Sequence, residues 1–166
     1  MEKTNVIITI QSRQCFDTLE EDWVEQTAGG CLERTAEGWT LTYLEGEASG
    51  LGGTRTTLEL AEGRIILTRA GEYQSQMVFE EGKGHTSDYK TPYGTLPLEI
   101  RTSRLFWAVE DREGKAELDY RIQIGPQQSG LTQFRLWVKK ERKKANDGKS
   151  DFGRPGTGGR PDPERL

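Results

Sequence analysis

Histidine occurs once in the 166 residues, and cysteine and methionine twice each. A single histidine leaves little choice for a Ser–His–Asp arrangement. Cys15 and Cys31 stand 16 residues apart with no CxxC pair and no histidine-rich neighbourhood, so the four ligands of a zinc site are lacking. Long apolar runs are missing too: Val6-Ile7-Ile8 and Ile65-Ile66-Leu67 are the longest aliphatic stretches, against the roughly 20 residues of a membrane-spanning helix. The apolar patch ending at Ile10 is shorter than a signal-peptide core of about 7–15 residues. The expectation is a cytoplasmic chain with no membrane insertion, its two thiols reduced, free and partly buried.

Catalytic signatures are equally scarce. Gly50-Leu51-Gly52-Gly53 does not follow the G-x-x-x-x-G-K-[ST] order and has no helix behind it to supply a dipole for phosphate. Gly46-Glu47-Ala48-Ser49-Gly50 is not a nucleophile elbow. With 27 Asp and Glu in the chain, closeness in sequence, as for Glu45 and Glu47, does not single out an acid–base pair. No catalytic residue, metal or cofactor is assigned.

What the chain has is charge and glycine: 30% charged residues, 33% apolar, 20 glycines and a mean hydropathy of -0.77. That length supports one domain. The net charge of -4 averages two regimes. Residues 1–138 carry 14 Lys and Arg against 22 Asp and Glu, a balance of -8, while residues 139–166 carry 9 against 5, a balance of +4. An acidic body argues against nucleic acid as the principal partner.

Short alternating segments separated by glycine-containing turns dominate, the pattern of an antiparallel meander. Ala61-Glu62-Gly63, Ala70-Gly71-Glu72, Glu81-Gly82-Lys83-Gly84 and Asp111-Arg112-Glu113-Gly114 supply residues that tolerate positive φ. Alternation then assigns inward rows: Val6, Ile8 and Ile10; Trp39, Leu41 and Tyr43; Leu58 and Leu60; Ile65 and Leu67; Met77 and Phe79; Leu118, Tyr120, Ile122 and Ile124; Phe134, Leu136 and Val138. Between Thr95 and Glu110 the apolar phase flips from Leu96, Leu98 and Ile100 to Leu105, Trp107 and Val109, which places a bulge near Ser103-Arg104. Trp137 falls out of phase with Leu136 and is expected outside. Phe16, Leu19 and Trp23 allow one short helix or turn behind Asp17; an interrupted strand pair with a bulge or bend at Gly29-Gly30 fits equally well.

Nine or ten strands with one apolar face each must close or stack to bury those faces, and short connections favour an up-and-down β-barrel over residues 1–140. Lys139-Lys140-Glu141-Arg142-Lys143-Lys144 leads into a stretch with five glycines and three prolines. Residues 141–166 therefore read as a flexible basic tail.

Several strings together resemble the YwiB-like family of small bacterial proteins over about residues 3–140. They are Leu44-Glu45-Gly46-Glu47, Gly52-Gly53-Thr54-Arg55-Thr56-Thr57-Leu58, Thr68-Arg69-Ala70-Gly71, Gln76-Met77-Val78-Phe79, Tyr89-Lys90-Thr91-Pro92-Tyr93-Gly94, Leu98-Glu99-Ile100-Arg101-Thr102 and Asp119-Tyr120. The Tyr-x-Thr-Pro-Tyr-Gly string is the most specific. The resemblance implies a lipocalin-like, or calycin, barrel in a bacterial cytosol and supplies no catalytic residues; the tail departs from the family pattern.

One polar row stands out. His85, Ser87, Tyr89 and Thr91 share a face of one strand, and Arg69 follows Ile65 and Leu67 onto the inward face beside Met77. A buried arginine needs an anionic or carbonyl partner, and a barrel of this kind is wide enough to hold one small ligand. On a binding reading, Arg69, His85 and Tyr89 orient the polar end of a small amphipathic or weakly anionic molecule. Met77, Phe79, Leu98 and Trp107 contact its apolar body, Thr91 extends the polar row and Tyr93 covers the rim, with Glu45 to Gly53 a second rim segment. On a structural reading, Arg69 pairs with a buried glutamate or caps carbonyls, and Thr91-Pro92-Tyr93-Gly94 is a tight turn. A third reading is an interaction module: a filled barrel whose basic tail meets a protein, an RNA or another weak anionic partner.

Overall fold

The computed structural model describes residues 3–18, 21–46, 51–126 and 128–141. Ten strands follow one another: β1 (Lys3–Phe16), β2 (Glu21–Arg34), β3 (Gly38–Leu44), β4 (Thr54–Ala61), β5 (Arg64–Gly71), β6 (Ser75–Phe79), β7 (Gly84–Thr91), β8 (Gly94–Glu110), β9 (Glu113–Ile124) and β10 (Gln128–Lys140). They form one antiparallel sheet in the order β6-β5-β4-β3-β2-β1-β10-β9-β8-β7. The first and last strands pair through eleven residues, from Val6 opposite Lys140 to Phe16 opposite Gly130, so the meander rolls up into a nearly closed up-and-down barrel. No described helix is long and apolar enough to cross a membrane. The tail reading falls on residues 142–166, outside the described part of the chain.

The alternating rows become the core. Val6, Ile8, Ile10, Leu41, Leu58, Ile65, Leu67, Phe79, Leu118 and Leu136 are buried, and Ile124 packs against them half-buried. The outward parity of Trp137 leaves it exposed. Behind Phe16 the turn of the two readings is found, at residues 17 and 18, with no helix among the described residues there, and no bulge forms at Gly29: β2 pairs with β1 without interruption from Glu21 to Glu33. Gly30 is needed for approach instead, since a Cβ there would lie 2.5 Å from Ile8 Cδ1 and 2.7 Å from the Thr42 carbonyl. Both cysteines are free, but Cys15 is exposed rather than partly buried.

The expected bulge lies between Thr102 and Arg104, where the β8–β9 register shifts. It coincides with the end of β7, whose Gly84 meets Arg101. Beyond that point the 80–83 turn is sutured to β8. Gly82 N–H donates to Thr102 O at 2.8 Å and Leu105 N–H to Glu81 Oε2 at 2.9 Å. Asp111 and Arg112, at φ 54° and 62°, make the two-residue left-handed turn that matches strand twist.

Only β6 and β7, neighbours in sequence, lack a ladder. Backbone bonds join Gln74 and Lys90, 2.9 Å each way, and midway the Ser87 hydroxyl donates to the Gln76 carbonyl at 2.9 Å. The polar row of β7 thus lies along a seam, where a hydroxyl supplies a bond that a sheet neighbour normally supplies.

Candidate functional site

The two ends of the barrel differ. At one, Trp39 and Leu60 are buried and the Trp107 indole N–H donates to the Ala61 carbonyl at 2.7 Å, which plugs the interior. At the other, where β1 joins β2, β3 joins β4 and β9 joins β10, the inward rows turn polar: Ser12 and Gln14 follow Ile10, and Gln26 shares its row with Val24 and Asp22. Between these rows lies a cavity of about 280 Å³.

Arg69 and Glu45 face each other in its wall, Nε to Oε2 at 3.7 Å, with the glutamate side chain 1% exposed and the arginine 20%. Glu45 is held from two sides: Thr56 Oγ1 donates to Oε2 at 2.5 Å and Gln26 Nε2 to Oε1 at 3.3 Å. Glu45 is also close to the Tyr43 phenol, whose pKa is pushed well above its ordinary value by burial first and by the Glu45 charge second, with Arg69 acting the other way. Burial likewise raises Tyr120 and Tyr89, against the pull of Arg69. Tyr89 stacks on Tyr73 at 6.3 Å between ring centroids.

Three polar atoms in this wall, Arg69 Nε, Ser75 Oγ and Thr132 Oγ1, are buried without a hydrogen bond. The first two are carried by neighbouring residues, Arg69 and Ser75 being directly opposite in the β5–β6 ladder. Apolar side chains complete the wall, among them Met77, Leu98, Ile122, Ile124 and Phe134. Among the described residues no group of three or more His, Cys, Asp or Glu is placed to hold a metal.

Of the residues singled out from sequence, Arg69, Met77, Tyr89 and Leu98 meet in this cavity. Phe79 is two residues deeper, fully buried against Tyr120. His85 lies on the seam, half-buried, its Nδ1 without a partner. Thr91 belongs to the β7–β8 turn, where its hydroxyl donates to Gly94 O and accepts from Tyr93 N–H. Tyr93 is 93% exposed and covers nothing, and Trp107 is at the plugged end. Glu45 enters the sequence reading only as the start of the second rim segment, although it continues the inward parity of Trp39, Leu41 and Tyr43 and is the buried glutamate beside Arg69. Of the second rim segment, residues 47–50 lie outside the described part.

A ten-stranded up-and-down barrel, plugged at one end and carrying a polar-walled cavity at the other, defines the class of protein. The model of the family described as "Domain of unknown function (DUF1934)" matches residues 8–136, and the chain belongs to that family. It is 25% identical over 85 residues to the "Uncharacterized beta-barrel protein YwiB" of Bacillus subtilis (strain 168), a match covering 51% of this chain and 60% of that protein. The crystal structure of the ywiB protein from Bacillus subtilis superposes with a TM-score of 0.75 at 19% identity, covering 84% of this chain and 94% of that one. That likeness establishes the barrel.

Proposed function

We propose that the chain is a lipocalin-like carrier of the bacterial cytoplasm that holds one small amphipathic molecule, neutral or weakly anionic, non-covalently in the mouth half of its lumen. The observation that carries this reading is Arg69, four-fifths buried and lining the cavity with an unused Nε donor. Desolvated donors without acceptors are costly to leave unmatched, and a ligand acceptor offsets that cost. Arg69 and Tyr89 orient the polar end, and Met77, Leu98 and Ile124 contact the apolar part. The volume, about 280 Å³, sits at the lower edge of the roughly 300–1,000 Å³ of small-molecule pockets, which limits the guest to a short chain or a single ring system. Native mass spectrometry of protein purified from its own host tests the reading. An adduct that disappears with Arg69→Ala supports it; a clean apo mass under gentle conditions, with a folded barrel, overturns it.

A further inference from the structure

The charge balance of the cavity wall narrows the chemistry of the guest. We infer that the ligand's polar end is an uncharged carbonyl, such as an amide, ester or ketone, and not a carboxylate or a phosphate; this rests on the carrier reading above. Among the described residues lining the cavity Arg69 is the one cation, and two carboxylates, Glu45 and Asp22, line it as well. Glu45 stands 3.7 Å from the guanidinium with its side chain 1% exposed, so the positive charge is matched before any guest arrives. Its oxygens are taken by Thr56 and Gln26, which fixes the carboxylate in place. An entering anion would share one cation with a carboxylate that cannot move away, and like charges in a partly desolvated site repel strongly. Asp22, exposed at the mouth, adds repulsion along the way in.

What the wall still offers is hydrogen-bond donation without net charge. Arg69 Nε and Ser75 Oγ are both buried without a hydrogen bond, and the residues that carry them are directly opposite each other across β5 and β6. A carbonyl oxygen has two lone pairs for these two donors. The hydroxyl can instead accept, which would suit the N–H of an amide.

The test compares octanamide, octanoate and octyl phosphate, titrated at pH 7.5 by isothermal calorimetry into the wild-type chain and into Glu45→Gln. In the wild type, octanamide is expected to bind at least tenfold tighter than octanoate, and octyl phosphate weakest. In Glu45→Gln the unmatched guanidinium reverses the first preference, octanoate gaining at least tenfold over octanamide. Octanoate binding as tightly as octanamide to the wild type overturns the inference and leaves the carrier reading standing. Binding of none of the three, together with a clean apo mass of the host-purified protein, overturns the carrier reading and this inference with it. If Glu45→Gln does not give a folded barrel, the wild-type ranking, which needs no variant, decides.

Discussion

Separating the two charges in the cavity wall is the perturbation whose size follows most directly from the geometry. At 3.7 Å, unit charges attract by about 4 kcal/mol at an effective dielectric constant near 20. Glu45→Gln removes that attraction but keeps an oxygen for the Thr56 hydroxyl. Arg69, 20% exposed, can recover hydration from the cavity, so the expected loss is about 2–3 kcal/mol, below the roughly 3–5 kcal/mol of a fully buried pair. Arg69→Met strands the more deeply buried partner and is expected to cost more, about 3–4 kcal/mol. The double variant leaves no isolated charge and should fall short of the summed single losses by about 2 kcal/mol. Urea unfolding at pH 7.5, followed by tryptophan fluorescence and circular dichroism, measures all three. Single losses below about 0.5 kcal/mol that simply add would refute the claim that the wall is organised by this pair.

Ser87→Ala removes the hydroxyl that bridges the seam at 2.9 Å; a loss of about 1 kcal/mol with faster hydrogen exchange confined to β6 and β7 is expected, and unchanged exchange there would place the seam's cohesion elsewhere. Gly30→Ala forces a Cβ to within 2.7 Å of the Thr42 backbone carbonyl, and about 2 kcal/mol of destabilisation or more is expected in the same urea assay. Burial raises the pKa of Tyr43, Tyr120 and Tyr89. The folded state therefore keeps the phenol proton more tightly than the unfolded one, and stability holds up to the unfolded value near ~10 and falls as pH rises beyond it. Absorbance at 295 nm and near-ultraviolet circular dichroism should change together above that pH, and Tyr120→Phe should flatten the decline; ionisation of all the tyrosines with the dichroism intact would count against their burial.

Parity along a strand is a local property, and it was legible. Each inward row from Val6 to Val138 follows from a two-residue repeat, and the phase flip from Ile100 to Leu105 gave away the bulge that lies between Thr102 and Arg104. Height along the barrel axis is not local. It depends on the register of all ten strands, so parity put Arg69, Phe79, His85 and Trp107 on one interior without separating mouth from plug. Alternation does not reveal that the polar row of β7 lies along a seam: its neighbour β6 stops after five residues, and the Ser87 hydroxyl bonds the Gln76 carbonyl across the gap. Glu45 was hidden among 27 acidic residues, yet the parity of β3, extended one step past Tyr43, was enough to point it inward.

The central claim is that the mouth half of the lumen, at Arg69, receives a molecule. A high-resolution crystal structure of the protein purified from its own host measures this directly. The account predicts continuous non-protein density in the cavity, with an acceptor atom within hydrogen-bond distance of both Arg69 Nε and Ser75 Oγ and an apolar body against Met77, Leu98 and Ile124. Discrete water peaks alone, bridging Arg69 and Ser75, would contradict it.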